Sequence, residues 1–133
     1  MRKTIILLLL FAKVLNADMN TARQGATVAI NQLKEAGYIY KGVRGNYLKN
    51  GAYKTYHTYC YSGNNYAVIG SSDGKITDLD VMIYDKNWKV IATDSDYEPI
   101  TTVKFFVKRT GLYHIVTRAY EGEGYFTQVV AFK

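Results

Sequence analysis

Three groups of side chains in this sequence have the chemistry for a functional site: two histidines with a cysteine, a run of carboxylates, and a concentration of tyrosines. The chain has two histidines, His57 and His114, and one cysteine, Cys60. A Ser/His/Asp hydrolase needs a serine beside a histidine base that an acid orients, and two isolated histidines on strands do not make that arrangement. A zinc site needs three or four His, Cys or carboxylate ligands at suitable spacing, which isolated residues of this kind do not supply. Both histidines read as strand residues with ordinary hydrogen bonds. Cys60 has no intramolecular disulfide partner and falls in the strand-like run Tyr56-His57-Thr58-Tyr59-Cys60-Tyr61, where burial as a small hydrophobe is the expectation. No residue is assigned a catalytic role, and the chain reads as a non-enzyme.

The carboxylates gather between Asp73 and Glu98. Calcium takes six to eight oxygen ligands, and loop carboxylates suit it, so Asp78, Asp80, Asp94 and Asp96 are the candidate ligands of a calcium ion. No other cofactor is implied. An EF-hand is excluded, because in Asp94-Ser95-Asp96-Tyr97-Glu98-Pro99 the required glycine is missing and the closing glutamate position is Phe105. Asp78 and Asp80 share one strand face about 7 Å apart. That spacing also fits paired glycosidase carboxylates in principle.

Thirteen tyrosines against five phenylalanines and one tryptophan is the outlier of the composition. Eight of the tyrosines lie between Tyr38 and Tyr66. In a strand over 53–61, Tyr53, His57, Tyr59 and Tyr61 share one face and Tyr56 takes the other. An exposed row of this kind binds a peptide, protein or polysaccharide surface by stacking and hydroxyl hydrogen bonds. Core and cross-strand packing is the commoner use of such residues in a β-rich protein.

The elements that must position these groups follow from periodicity. Residues 1–17, MRKTIILLLLFAKVLNA, have the charged start, short apolar run and small residue before a polar stretch that mark a secretory signal peptide, with cleavage expected after Ala17. The apolar run is too short for stable membrane insertion, which needs about 20 residues. No cysteine follows it, so a lipoprotein anchor is not expected, and the mature protein is placed in the periplasm or outside the cell. Losing Arg2, Lys3 and Lys13 takes the formal charge from +6 to +3. The remaining cations are spaced singly among Tyr and Gly rather than clustered on one element, so a nucleic-acid partner is not expected.

From 18 to 37 the residues Ala22, Ala26, Ala29, Leu33 and Ala36 recur at helical spacing, and Gly37 is placed to end the helix. From 38 to 133 the pattern is short strands broken by Gly, Asn and Asp: Tyr38–Val43, Ala52–Tyr61, Tyr66–Gly70, Leu79–Tyr84, Lys89–Thr93, Ile100–Val107, Leu112–Ala119 and Tyr125–Phe132. Turn chemistry at Asp85-Lys86-Asn87, Thr110-Gly111 and Gly122-Glu123-Gly124 separates them. The fold expected from this spacing is all-β, an antiparallel sandwich or barrel of about eight strands preceded by one short N-terminal helix.

The order of several segments resembles the bacterial pre-peptidase C-terminal domain family. Tyr61-Ser62-Gly63-Asn64-Asn65-Tyr66 is similar to the family's Gly before a strand-starting Tyr. Asp78-Leu79-Asp80-Val81-Met82-Ile83-Tyr84-Asp85 resembles its "DLDL" strand, and Trp88-Lys89-Val90-Ile91-Ala92-Thr93-Asp94 the following hairpin arm. Val103-Lys104-Phe105 and Thr110-Gly111-Leu112-Tyr113-His114-Ile115 resemble its later strand entries. Trp88 departs from the pattern, standing where the family usually has Gly. The resemblance implies a jelly-roll-like sandwich in which Asp78 and Asp80 are structural. With no peptidase domain in this chain, the role of a module appended to a protease does not carry over, and the function expected is a non-catalytic binding or interaction module, or alternatively a calcium-stabilised structural or regulatory partner of an envelope or secreted protein such as a protease. The linker calcium site of collagen-binding relatives is not matched, since the helical region holds only Asp18 and Glu35.

Overall fold

A computed structural model describes residues 2–94 and 100–133, with side chains from Met19 onward. One helix, α1 (Arg2–Glu35), precedes eight strands: β1 (Ile39–Leu48), β2 (Tyr53–Cys60), β3 (Asn65–Ser72), β4 (Ile76–Tyr84), β5 (Val90–Asp94), β6 (Ile100–Phe106), β7 (Gly111–Gly122) and β8 (Gly124–Phe132). All eight expected strands are present, with ends displaced by a few residues. The helix extends back beyond the expected start at Asp18, because no Gly or Pro interrupts the sequence before Gly25.

The strands form two four-stranded antiparallel sheets, in the orders β1-β8-β3-β6 and β2-β7-β4-β5. This is jelly-roll order. Every connection crosses between sheets except the β4–β5 hairpin, as happens when one long antiparallel ribbon folds over on itself. Alternation along each strand then sorts the side chains. Val68, Val81, Ile83, Val103, Phe105, Ile115 and Val130 point between the sheets and form the main cluster, with Leu48, Ile76, Leu79, Ala119 and Phe126 as a second.

Between those two clusters lies a polar layer. Arg44 Nε donates to Gln128 Oε1 at 2.7 Å, Arg44 Nη2 donates to Thr58 Oγ1 at 2.8 Å, and Gln128 Nε2 donates to Thr117 Oγ1 at 2.7 Å. Gln128 and Thr117 are fully buried. The guanidinium also lies over the Tyr56 ring, and burial holds its pKa below the ordinary arginine value.

α1 covers the outer face of the first sheet. Ala26, Ala29 and Leu33 pack on Ala67, Ile69, Val129 and Ala131, as the small-residue stripe predicts. The helix approaches the sheet so closely that a β-carbon at Gly25 would collide with the Ser71 hydroxyl, so the glycine that weakens the helix also allows its docking. Tyr38 N–H donates to Leu33 O and Gly37 N–H to Lys34 O, with Gly37 at φ +88°, a Schellman stop. Ala36 falls beyond the helix and is exposed rather than part of the packing stripe. Among the described residues no helix is long and apolar enough to cross a membrane.

Candidate binding face

Among the described residues the outer face of the second sheet carries no covering element comparable with α1. Its side chains are set by the pairing of β2 with β7, where Tyr53 lies opposite Arg118, His57 opposite His114 and Tyr59 opposite Leu112. Alternation sends these outward while Tyr56, Thr58 and Cys60 turn inward, Tyr56 packing against Phe126. The predicted face is therefore the observed one. Tyr53 is 67% exposed, Tyr59 50% and Tyr61 55%, so core packing, which does describe Tyr66 and Tyr113, does not describe this row.

The structure brings three of the four proposed residues together. The Tyr59 and Tyr61 rings meet edge to face at 5.3 Å, and Lys41 Nζ donates to Tyr59 O while lying 5.8 Å from the Tyr61 ring centre. His57 Nδ1 and His114 Nδ1 are 2.7 Å apart, so one ring donates and the other accepts. Tyr53 stands apart, two turns of the pleat down the strand, where Arg118 and Tyr120 form a second patch with the guanidinium 5.2 Å from the ring centre.

A residue that sequence reasoning passed over completes the first patch. Trp88 lies flat on His114, ring centres 3.9 Å apart and planes 11° from parallel, with the Tyr84 ring centre 5.5 Å away. It reaches there from the β4–β5 turn. Asp85 Oδ1 accepts from Asn87 N–H and Lys89 N–H, and Asp85 O accepts from Trp88 N–H, which winds the chain tightly enough to put Trp88 at φ +62°. Among the described residues it is the one non-glycine residue with positive φ. An L side chain held there costs on the order of 1–3 kcal/mol, a strain that persists only when its surroundings fix it. The signal available in the sequence was the tryptophan at a position where the resembling family carries Gly.

His114 Nε2 is buried without a hydrogen-bond partner, and Cys60, on the opposite side of the sheet, is fully buried with its thiol pushed up to about 11 by desolvation. A thiol in that state is an inert small hydrophobe, as its strand context predicts. Among the described residues neither histidine is hydrogen-bonded to a serine, threonine or cysteine side chain.

The acidic candidates divide. Asp78 and Asp80 are both buried at the far end of the same face, with Asp78 Oδ1 and Asp80 Oδ1 lacking hydrogen-bond partners. Desolvation, and then the charge and hydrogen bond of Asp78, raise the Asp80 carboxyl to about 6 against a pull downward from Arg118. Asp94 turns toward β6, where its Oδ2 accepts from Thr102 N–H at 3.1 Å, and Asp96 lies outside the described residues. Among the described residues no group of three potential metal-binding side chains forms.

No protein-family model and no curated protein matches this chain. Solved structures do. The chain is similar to Aeromonas hydrophila PliG, a periplasmic lysozyme inhibitor of g-type lysozyme, with a TM-score of 0.54 at 14% identity over 74% of this chain and 90% of that one. It is also similar to Salmonella Typhimurium PliG, likewise a periplasmic lysozyme inhibitor of g-type lysozyme, with a TM-score of 0.50 at 15% identity over 69% of this chain and 86% of that one. At these identities what the chain shares with them is the fold, a β-sandwich.

Proposed function

We propose that this protein is an exported, non-catalytic binding module of the periplasm or extracellular space. Its ligand docks on the outer face of the second sheet, centred on Trp88, His114, His57 and Tyr59. The observation that carries the reading is the contrast between the two outer faces. One is covered by α1 over β8 and β3, with Val43, Tyr47, Ile100 and Phe106 exposed only toward its margins, while the other presents Tyr53, Tyr59, Trp88, Leu112 and Tyr120 to solvent across the face, with a tryptophan held in a strained backbone conformation to complete the surface. Exposed aromatics clustered on one rigid face are the usual anchors of recognition. The pre-peptidase C-terminal resemblance agrees with this reading as far as the fold goes, since it implies a jelly-roll-like sandwich of a kind found in secreted bacterial proteins.

A protein ligand is the first to test, because two structures of this fold are described as lysozyme inhibitors, and a fold supplies only a starting point for function. The tagged mature protein is titrated into g-type lysozyme and, separately, used to capture partners from envelope and secreted fractions. Replacing Tyr53 and Tyr59 together by alanine is expected to shift the melting temperature by no more than about 2 °C, because both rings are exposed. The same variant, or Trp88→Ala, is expected to weaken capture of the partner at least about tenfold. A collapse in stability on replacing Tyr53 and Tyr59, or undiminished capture by both variants, rejects this face as the docking site.

A further inference from the structure

A second surface lies at the side of the sandwich, where the two sheets end in their edge strands β5 and β6. These strands are bridged where Asp94 accepts from Thr102 N–H, and beyond that point a cleft of about 740 Å³ opens between them toward the β4–β5 and β6–β7 turns. Its floor is apolar, with Phe105 and Tyr113 buried and Ala92 partly so. Its rim is basic. Lys86, Lys89, Lys108 and Arg109 are exposed around it, and Asp85, the one carboxylate in its lining among the described residues, is engaged by the backbone of its own turn. The adjacent Lys104 leans away to the Tyr38 ring on the outer face.

The wall formed by β6 has a defined polarity. Val107 N–H donates to Asn64 O on the β3 side, whereas Thr102 N–H points the other way, into Asp94. Alternation along an antiparallel strand therefore turns the N–H and C=O groups of Lys104 and Phe106 away from β3, toward the cleft. Neither N–H has a hydrogen-bond acceptor among the described residues. Val90 exposes an apolar side chain on the β5 wall, and Phe106, on the same face of β6 as Lys104, is exposed at the rim.

We infer that this cleft is a docking groove for an acidic, extended peptide segment of a partner protein, which adds as a strand along the outer edge of β6. The geometry supplies the three complementarities that such a ligand needs. Unpaired main-chain groups on an edge strand provide register. An apolar floor accepts every second side chain of a strand, and four cations surrounding one engaged carboxylate favour acidic side chains between them. A structureless polyanion would use only the last of these, and a lipid surface would not use the strand edge. This groove adjoins the aromatic face at Leu112 and the β4–β5 turn, and the strand-edge argument stands independently of the reading given for that face.

The test uses a blocked, fluorescein-labelled octapeptide of alternating valine and glutamate, titrated into the mature protein and read by anisotropy. It is expected to bind, to lose about tenfold in affinity between 50 and 300 mM salt, and to lose at least about tenfold again with the double variant Lys108→Glu, Arg109→Glu. Lys104→Ala is expected to bind as the native protein does. Lys104→Pro is expected to bind at least about tenfold more weakly, since proline removes an N–H that β3 does not use. The same peptide N-methylated at alternate residues, which loses the donors of one edge, is expected not to bind even where the proline variant cannot be purified. The proposal is overturned by equal binding of Lys104→Pro and Lys104→Ala, or by equal binding of the methylated peptide, of a valine–lysine peptide or of polyglutamate broken by prolines. It is equally overturned if phosphatidylglycerol vesicles sediment the protein while the valine–glutamate peptide fails to bind.

Discussion

Replacing Gln128 with leucine is expected to lower the free energy of unfolding by about 3 kcal/mol. The side chain is fully buried and makes two contacts at 2.7 Å, accepting from Arg44 Nε and donating to Thr117 Oγ1. Leucine conserves the approximate volume, so the loss is not a cavity effect. It arises because a half-buried guanidinium and a buried hydroxyl each keep the desolvation cost of folding without the hydrogen bond that offset it, at about 1–3 kcal/mol per orphaned group. Arg44 is the larger of the two, since it sits in a cleft whose other contacts are the neutral Thr58 hydroxyl and the Tyr56 ring face. Removing both partners tests the mechanism. With Arg44→Met added to Gln128→Leu, the uncompensated charge is gone and the polar layer becomes continuous with the clusters above and below it, so much of the lost stability is expected to return. Urea denaturation of the three proteins decides it. A double variant as unstable as the single one would show that the loss comes from packing rather than from an unpaired cation.

That polar layer also marks where sequence reasoning stopped. Alternation was readable wherever apolar residues kept the period of two, as in Leu79, Val81 and Ile83 or Val103 and Phe105, and those strands lie where the pattern places them. Arg44 and Gln128 interrupt the same alternation with polar side chains, and a pattern reader assigns polar residues to solvent. They turn inward because β1 and β8 hold them opposite each other in register. The tyrosine row was legible for the same reason as the core, since period two sorts Tyr53, His57 and Tyr59 from Tyr56 whatever their role. What the pattern could not supply was cross-strand partnership. His57 and His114 are 57 residues apart in sequence and become neighbours only through the β2–β7 register. Trp88 arrives on His114 through a backbone conformation that its side chain disfavours, so local propensity argues against its actual position. The helix stripe was read correctly from Ala22 to Leu33, while Gly25 was read only as a weakness, because close approach to Ser71 is a tertiary fact.

Asp80→Asn is expected to stabilise the protein at pH 7.5, by about 1–2 kcal/mol, and to flatten its stability profile between pH 4 and pH 6. Asp80 is buried beside Asp78, and desolvation together with the neighbouring carboxylate raises its pKa from 3.8 to about 6. In the unfolded chain the same carboxyl releases its proton near 3.8. Between those two values the native state holds a proton that the unfolded state has lost, so stability falls as pH rises from about 4 to about 6, and above 6 the whole penalty is present. Arg118, opposite Asp80 in the β4–β7 register, offsets part of it, and Asp94 adds to it. An amide at position 80 donates to Asp78 as the shared proton does, at every pH. Denaturation midpoints at pH 4.5, 6.0 and 7.5 measure the effect directly. A variant less stable than the native protein at pH 7.5, or one that keeps the native slope between pH 4 and 6, would contradict it. Calcium separates the proton from a cation as the species that relieves the pair. With the proton in that role, neither calcium nor chelator moves the native midpoint at pH 7.5. If chelator lowers that midpoint and Asp80→Asn abolishes the response, the two carboxylates hold a metal ion instead.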